Sequence, residues 1–278
     1  MSALIIKILA VAFMLVDHIG FAMGSYGFSE LGWGAFYYLC RGVGRLALPL
    51  FAFLIANGFK HTKSVKKYAL RLLAFALISE IPFDLFTKGK FDIIDPSGRI
   101  PNLSLDNVFF TLLFGLCFLW LNDTYKKRAL KNAKILSLGT FVVLMVLAGF
   151  VSSDYGAVGV AWVALFGILD LGDRKKLPFA FFGAALLAYW RIIARCALVA
   201  VYRFTHIHIG KIPGLAYFFA GKLSVVAWLQ PFALVALGFI LMYNQKSGMP
   251  QNKIAKKALQ YAFYAIYPLH LLIFALIF

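Results

Sequence analysis

Acid is scarce in this chain. Its 278 residues include 11 Asp and Glu against 28 Lys and Arg, a net charge of +17. A surplus of that size raises the question of nucleic acid, but the distribution argues against it. The basic residues lie in short segments between apolar runs, with no separate basic domain to dock on a duplex. Cysteine is nearly absent: Cys40, Cys117 and Cys196 each sit inside an apolar segment. That pattern gives no disulfide framework and no metal-ligand spacing. No Gly/Ser or Pro-rich linker divides the chain, so it reads as a single domain over 1–278. There is no Walker loop and no nucleophile elbow, and the pair His206 and His208 is too sparse for zinc. No metal is expected.

What the chain has is hydrophobic length. Apolar residues make up 62% of it, and the mean hydropathy is +0.84. Soluble domains are about half apolar, so the excess must face lipid. Spans of about 20 apolar residues are needed to cross the hydrocarbon core. The segments 4–23, 35–57, 68–86, 105–122, 135–153, 156–172, 178–200, 223–243 and 258–278 fit. Strand-type alternation is missing, so the expectation is all-α: a polytopic integral membrane bundle of about nine transmembrane helices. The first apolar run carries Asp17 and His18 and is followed by no clear small-x-small site, so it reads as a span rather than a cleaved leader. The stretch 201–222 reads as a loop with an interfacial or re-entrant piece.

Lys and Arg counts set the orientation. One side collects Lys7; Lys60, Lys63, Lys66, Lys67 and Arg71; Lys126, Lys127, Arg128, Lys131 and Lys134; Arg174, Lys175 and Lys176; and Lys246, Lys253, Lys256 and Lys257. The opposite side has only Lys88, Lys90, Arg99, Arg203, Lys211 and Lys222. The positive-inside rule then predicts a cytoplasmic N-terminus in a multi-pass protein of the cytoplasmic (inner) membrane.

Four arginines remain inside the spans: Arg41 and Arg45, and Arg191 and Arg195. Each pair is spaced i, i+4 and lines one helix face. An arginine at mid-bilayer costs about 2.5–3.5 kcal/mol even on a lenient scale, so partners are required. Asp17, Glu80, Asp84, Asp106 and Asp154 are available. At about 1.5 Å rise per residue, His18 lies about 8 Å below the outer boundary, Glu80 about 9 Å, His270 about 12 Å, and Arg41 and Arg45 about 9 and 15 Å. Ionisable groups sharing one layer point to a common cavity rather than to scattered structural ion pairs. The same set would also suit a proton-coupled or anion transporter, although no internal repeat is evident; Pro49, Pro82, Pro231 and Pro268 could break helices.

The motifs in chain order are Met14-Leu15-Val16-Asp17-His18-Ile19-Gly20; Arg41-Gly42-Val43-Gly44-Arg45-Leu46-Ala47-Leu48-Pro49; Asn57-Gly58-Phe59; Phe75 to Asp84 with Ser79-Glu80; Asn107-Val108-Phe109-Phe110-Thr111; Asp154-Tyr155-Gly156; and Tyr267-Pro268-Leu269-His270. Together they resemble the TraX family over nearly the whole chain. That family includes the enzyme that acetylates the N-terminal amine of F-type conjugative pilin, and it is similar to the wider transmembrane acyltransferases. The resemblance implies a membrane acetyltransferase. Such an enzyme carries an acetyl group from cytoplasmic acetyl-CoA to an amine or hydroxyl on an extracytoplasmic peptide or glycan. It implies His18 as the catalytic histidine and makes Asp17, Asn107, Asp154 and Tyr155 acceptor-binding positions.

The residues suit that chemistry. Acyl transfer needs a base for the attacking group and donors for the developing oxyanion. His18 is the expected base, with Glu80 or Asp84 orienting it; His270 reads either as a second acid/base group or as a helix-end histidine bonded to a backbone carbonyl. Arg41 and Arg45 could serve as oxyanion donors. The basic loop with Lys60, Lys63, Lys67 and Arg71 is the expected contact for the phosphates of acetyl-CoA.

Overall fold

In the computed structural model, the structure describes residues 1–25, 34–89, 105–151, 153–169, 175–205 and 228–278. Among them every regular element is helical. The helices are α1 (Ala3–Ser25), α2 (Gly34–Gly44), α3 (Ala47–His61), α4 (Val65–Lys88), α5 (Val108–Lys127), α6 (Ala133–Phe150), α7 (Gly156–Ile168), α8 (Leu177–Thr205), α9 (Val235–Leu241) and α10 (Lys253–Ile277), with a 3₁₀ turn, Gln230–Leu234, before α9.

Local chemistry sets the ends of these helices. Ser64, Asn107 and Asn252 cap α4, α5 and α10 by accepting first-turn N–H groups. Gly89, at φ 69°, closes α4 in the left-handed conformation and donates its N–H to the Leu85 carbonyl. The prolines behave differently from the expectation of four helix breakers. Pro82 and Pro268 lie inside continuous helices, and Pro231 sits at the start of the 3₁₀ turn. The break that does occur follows Gly44, and Pro49 explains it. Its ring bars a hydrogen bond to the carbonyl of Arg45, so the chain turns and restarts at Ala47 with Pro49 in the first turn.

Among the described residues, five stretches are long and apolar enough to cross a membrane: Ala3–Gly24, Gly34–His61, Val108–Lys127, Ala133–Phe150 and Lys253–Ile277; Gly156–Ile168, Leu177–Trp190 and Gln230–Leu241 are shorter apolar helices. By this criterion five of the nine expected spans are shown among the described residues. α7 has 13 residues, a rise of about 20 Å, and α4 carries Lys66, Lys67, Arg71, Glu80, Asp84 and Lys88. α8 continues to Thr205, past the expected end at 200; the remaining 206–222 lies outside the described residues, as do His206 and His208. Lipid-facing character is plain on the outside of the bundle. Ile135, Leu138, Val146 and Phe150 on α6 and Leu70, Leu77 and Ile78 on α4 are all exposed, Phe150 to 86%.

The core gathers α1, α3, α4, α5, α7 and α10 around Ile6, Leu50, Leu72, Leu116, Trp162 and Leu271. α1 packs closely on α2 because two glycines allow it. A Cβ on Gly20 would lie 2.7 Å from that of Cys40, and one on Gly44 would lie 2.2 Å from that of Asp17. At the N-terminal end, Ala3 and Leu4 donate backbone hydrogen bonds to Lys246 and Ser247. This places the 244–252 segment beside the start of α1.

Gly44→Ala is expected to destabilise the protein by about 1–3 kcal/mol, since the Asp17 side chain, held in place by Arg41 and Arg45, leaves no room for a methyl group. Gly139→Ala on α6, where an added Cβ meets nothing within 4 Å, should leave stability unchanged or slightly raised. Thermal unfolding of both variants in detergent measures the difference.

Candidate functional site

Asp17 and His18 are neighbours on α1, so their side chains leave the helix about 100° apart. Asp17 faces α2. Its Oδ2 accepts from Arg41 Nη1 at 2.8 Å and its Oδ1 from Arg45 Nη2 at 2.7 Å. Arg41 also donates to the Asp17 carbonyl at 3.2 Å, and Arg45 Nε donates to the Arg41 carbonyl at 3.1 Å. Asp17 and Arg45 are 7% and 6% exposed. One carboxylate therefore serves two buried guanidinium groups, and Arg41 Nε keeps no hydrogen-bond partner. Arg45 lies over the Tyr155 ring at 5.8 Å.

His18 faces α10. Its Nδ1 lies 2.6 Å from His270 Nε2, with the rings nearly parallel at 10°. Phe86 and Tyr267 close the surroundings at 5.6 and 6.3 Å between ring centroids. Hydrogen-bond chemistry assigns the tautomers. His270 Nδ1 is 2.8 Å from the Ile266 carbonyl, which can only accept, so that nitrogen carries the proton. In a neutral ring, His270 Nε2 is then a lone-pair acceptor, and His18 Nδ1 must donate to it. His18 Nε2 is left with a free lone pair, the form a general base requires.

Glu80 and Asp84 do something other than orient His18. Glu80 Oε1 accepts from the Asp106 backbone N–H at 2.9 Å and Oε2 from Asn107 Nδ2 at 2.5 Å, while that amide also donates to the Ala76 carbonyl at 2.8 Å. These contacts tie the start of α5 to α4. Asn107, expected at the acceptor site, is fully buried and caps α5. The carboxylates of Glu80, Asp84 and Asp106 lie within 4.8 Å of one another. The Lys88 ammonium supplies the positive charge there, 2.8 Å from Asp84 and 2.7 Å from Asp106. The orienting partner that the sequence assigned to a carboxylate is thus His270, because the helix carrying the acids is spent on holding α5.

Asp154 and Tyr155 form the turn between α6 and α7. Thr111 donates to the Asp154 carbonyl, and the Asp154 N–H to the Asp106 carbonyl at 2.7 Å. Tyr155 has a left-handed backbone at φ 61°. Burial pushes the Asp154 carboxyl up to about 7, against the pull of the Arg45 charge. Arg191 and Arg195 lie on α8, but their side chains fall outside the described residues.

Below the histidines, a cavity of about 430 Å³ reaches toward the N-terminal end. Its lining includes Lys7, Val11 and Met14 of α1, His61 of α3, Tyr68 and Arg71 of α4, Phe109 of α5, and Lys256, Gln260, Phe263 and Tyr267 of α10. Of the loop cations expected to meet a phosphate, Arg71 lines this cavity; Lys60, Lys63 and Lys67 are exposed and do not. Lys7 and Lys256, read from sequence only as orientation signals, do line it. Helical spacing could have flagged both, since Lys7 and His18 are 11 residues apart and Lys256 and His270 are 14 apart.

These features define a multi-pass helical membrane protein. It has a buried Asp–Arg–Arg cluster and a hydrogen-bonded histidine pair above an internal cavity. The chain belongs to the TraX family: the family model described as TraX protein matches residues 2–278. It is also similar to the "Probable fimbrial assembly protein FimC, serogroup H1" of Dichelobacter nodosus, 32% identical over 186 residues, covering 63% of this chain and 72% of that protein. No solved structure matches it.

Asp17→Asn is expected to cost about 3–5 kcal/mol, because it leaves buried arginine charge without its counter-ion. Asp123→Asn, at the exposed pair with Lys127, should cost under about 1 kcal/mol. Both are read from thermal or chemical unfolding. For Asp154, the folded carboxyl holds its proton to higher pH than the unfolded one. The native state therefore loses stability relative to the unfolded chain as pH rises from about 4 to about 7. The stability of Asp154→Asn relative to the parent should accordingly increase between pH 5 and pH 8, measured as the difference in melting temperature.

Proposed function

We propose that this protein transfers an acyl group, acetyl in the simplest case, from a coenzyme A thioester to an amine or hydroxyl presented on the other side of the membrane. The observation that carries the reading is the His18–His270 pair, whose hydrogen bonds leave His18 Nε2 as a lone-pair acceptor. Such a nitrogen can take the proton of an attacking amine or hydroxyl. As the new C–N or C–O bond forms and the C–S bond breaks, the leaving thiolate recovers that proton from the His18 imidazolium.

His270 holds His18 in one tautomer and one orientation, the service a carboxylate gives in a hydrolase triad. Arg41 and Arg45, from α2 and the turn after it, reach the neighbouring face of α1 at Asp17 and add positive charge close enough to act on the His18 ring. They favour the anion that develops on the thioester oxygen. The cavity gives the donor a path from the N-terminal end. The positive-inside rule makes that end cytoplasmic, because Lys7, the 57–71 segment and the 244–257 segment are basic. TraX membership, together with a relative named as a fimbrial assembly protein, supports a pilus subunit or other surface peptide as acceptor.

The test is release of free coenzyme A from labelled acetyl-CoA by protein in nanodiscs. His18→Ala should lower turnover by about 10²–10⁴-fold. His270→Gln, whose amide oxygen can accept from His18 Nδ1, should keep turnover within about tenfold of the parent, and His270→Leu should fall toward the His18→Ala level. ¹⁵N spectra of the histidines should show His18 Nε2 unprotonated in the parent and in His270→Gln. Turnover untouched by His18→Ala would sink the reading. Anion flux through liposomes with no coenzyme A binding would put a transporter in its place.

A further inference from the structure

The cavity holds an imbalance of charge that the transfer chemistry does not use. Three basic side chains line it, Lys7, Arg71 and Lys256, and no Asp or Glu is among its described lining residues. None of the three takes part in an ion pair among the described residues. Lys7 Nζ rests over the Phe263 ring at 5.1 Å, and the Arg71 guanidinium over the Tyr68 ring at 5.7 Å. Arg71 Nε is buried with no hydrogen-bond partner. Lys7 and Arg71, held on aromatic faces inside the bundle, and Lys256, exposed at the mouth of the cavity, have no acid among its described lining residues to neutralise them and together form a site built for an anion.

Their depth adds to this. Counting along each helix from its first residue, Lys7 lies about 6 Å inside α1 and Arg71 about 9 Å inside α4. An anion held by them is taken into the bundle rather than resting on the loop lysines.

Two helices then connect this cationic end to the histidines. On α1, Lys7, Val11, Met14 and His18 follow at i, i+4, i+7 and i+11, which is one face. On α10, Lys256, Gln260, Phe263, Tyr267 and His270 follow at i, i+4, i+7, i+11 and i+14, again one face. The rise is about 16 Å from Lys7 to His18 and about 21 Å from Lys256 to His270. The cavity ends at Met14 and Tyr267, one turn short of the pair, where the flexible thioether of Met14 can yield to a ligand.

Resting on the acyltransferase reading, we propose that Lys7, Arg71 and Lys256 form an internal phosphate site. It binds the phosphorylated head of the thioester donor, and the two facing helix stripes set the distance from phosphate to reacting carbonyl at about 16–21 Å. Phosphate is the shared chemistry, and a lipid headgroup is the competing source.

The experiment measures binding of coenzyme A, dephospho-coenzyme A and pantetheine to protein in phosphatidylcholine nanodiscs, with and without phosphatidylglycerol. Lys7→Gln, Arg71→Gln and Lys256→Gln should each weaken coenzyme A about tenfold or more and leave pantetheine, which has no phosphate, unchanged. Lys60→Gln, Lys63→Gln and Lys67→Gln should leave all three ligands unchanged. Coenzyme A bound by the parent and equally well by the three cavity variants overturns this site alone, as does an effect confined to the loop variants. An equal loss of pantetheine and coenzyme A also overturns it, since that would reflect damage to the cavity rather than a lost phosphate contact. Loss of coenzyme A affinity on adding phosphatidylglycerol assigns the cations to lipid. Failure of the parent to bind coenzyme A overturns the acyltransferase reading as well.

Discussion

Two arginines, one on α2 and one in the turn that follows it, and a single aspartate on α1 cannot be left apart inside a membrane protein. Their desolvation is tolerable only when the charges meet with good geometry. Here Asp17 accepts from both Arg41 and Arg45 at 2.8 and 2.7 Å, and Gly44 removes the side chain that would keep α1 and α2 from closing on that contact. The arrangement fixes more than a helix pair. With Asp17 committed to α2, rotation of α1 about its axis is fixed, and the next residue, His18, is turned toward α10. The position of His18 is thus a consequence of the ion-pair cluster beside it.

Each remaining polar group has a separate task. Glu80 and Asn107 secure the start of α5, Lys88 joins Asp84 to Asp106, and Thr111 holds the turn at Asp154. These contacts leave the histidine pair free of carboxylates. His18 then finds its orienting acceptor in a second imidazole, itself held by the Ile266 carbonyl. A neutral partner adds no second charge to a site that already holds two arginines within one layer, and it still selects a single tautomer.

The cavity and the histidines belong to one arrangement because α1 and α10 each carry a cation near one end and a histidine near the other, on the same face. Membership in the TraX family agrees with a protein whose long apolar helices gather polar groups in its interior.

Hydropathy and charge decide the helical membrane class and the intramembrane position of Asp17, His18, Arg41 and Arg45, because lipid permits only internally bonded backbone and tolerates charge only with partners. The motif set decides the family. Sequence alone does not decide which partner each charge takes. Glu80 and Asp84 share a face of α4, with Glu80 at about the depth of His18, and only packing shows that Glu80 is used at the start of α5 and Asp84 on Lys88. The role of Lys7 and Lys256 is hidden for the same reason: a basic residue near a helix end satisfies the orientation rule whether it faces solvent or the bundle interior. Which of these it faces depends on the rotation of α1 and α10, and that rotation is fixed by tertiary contacts, Asp17 with Arg41 and Arg45 for α1 and His18 with His270 for α10.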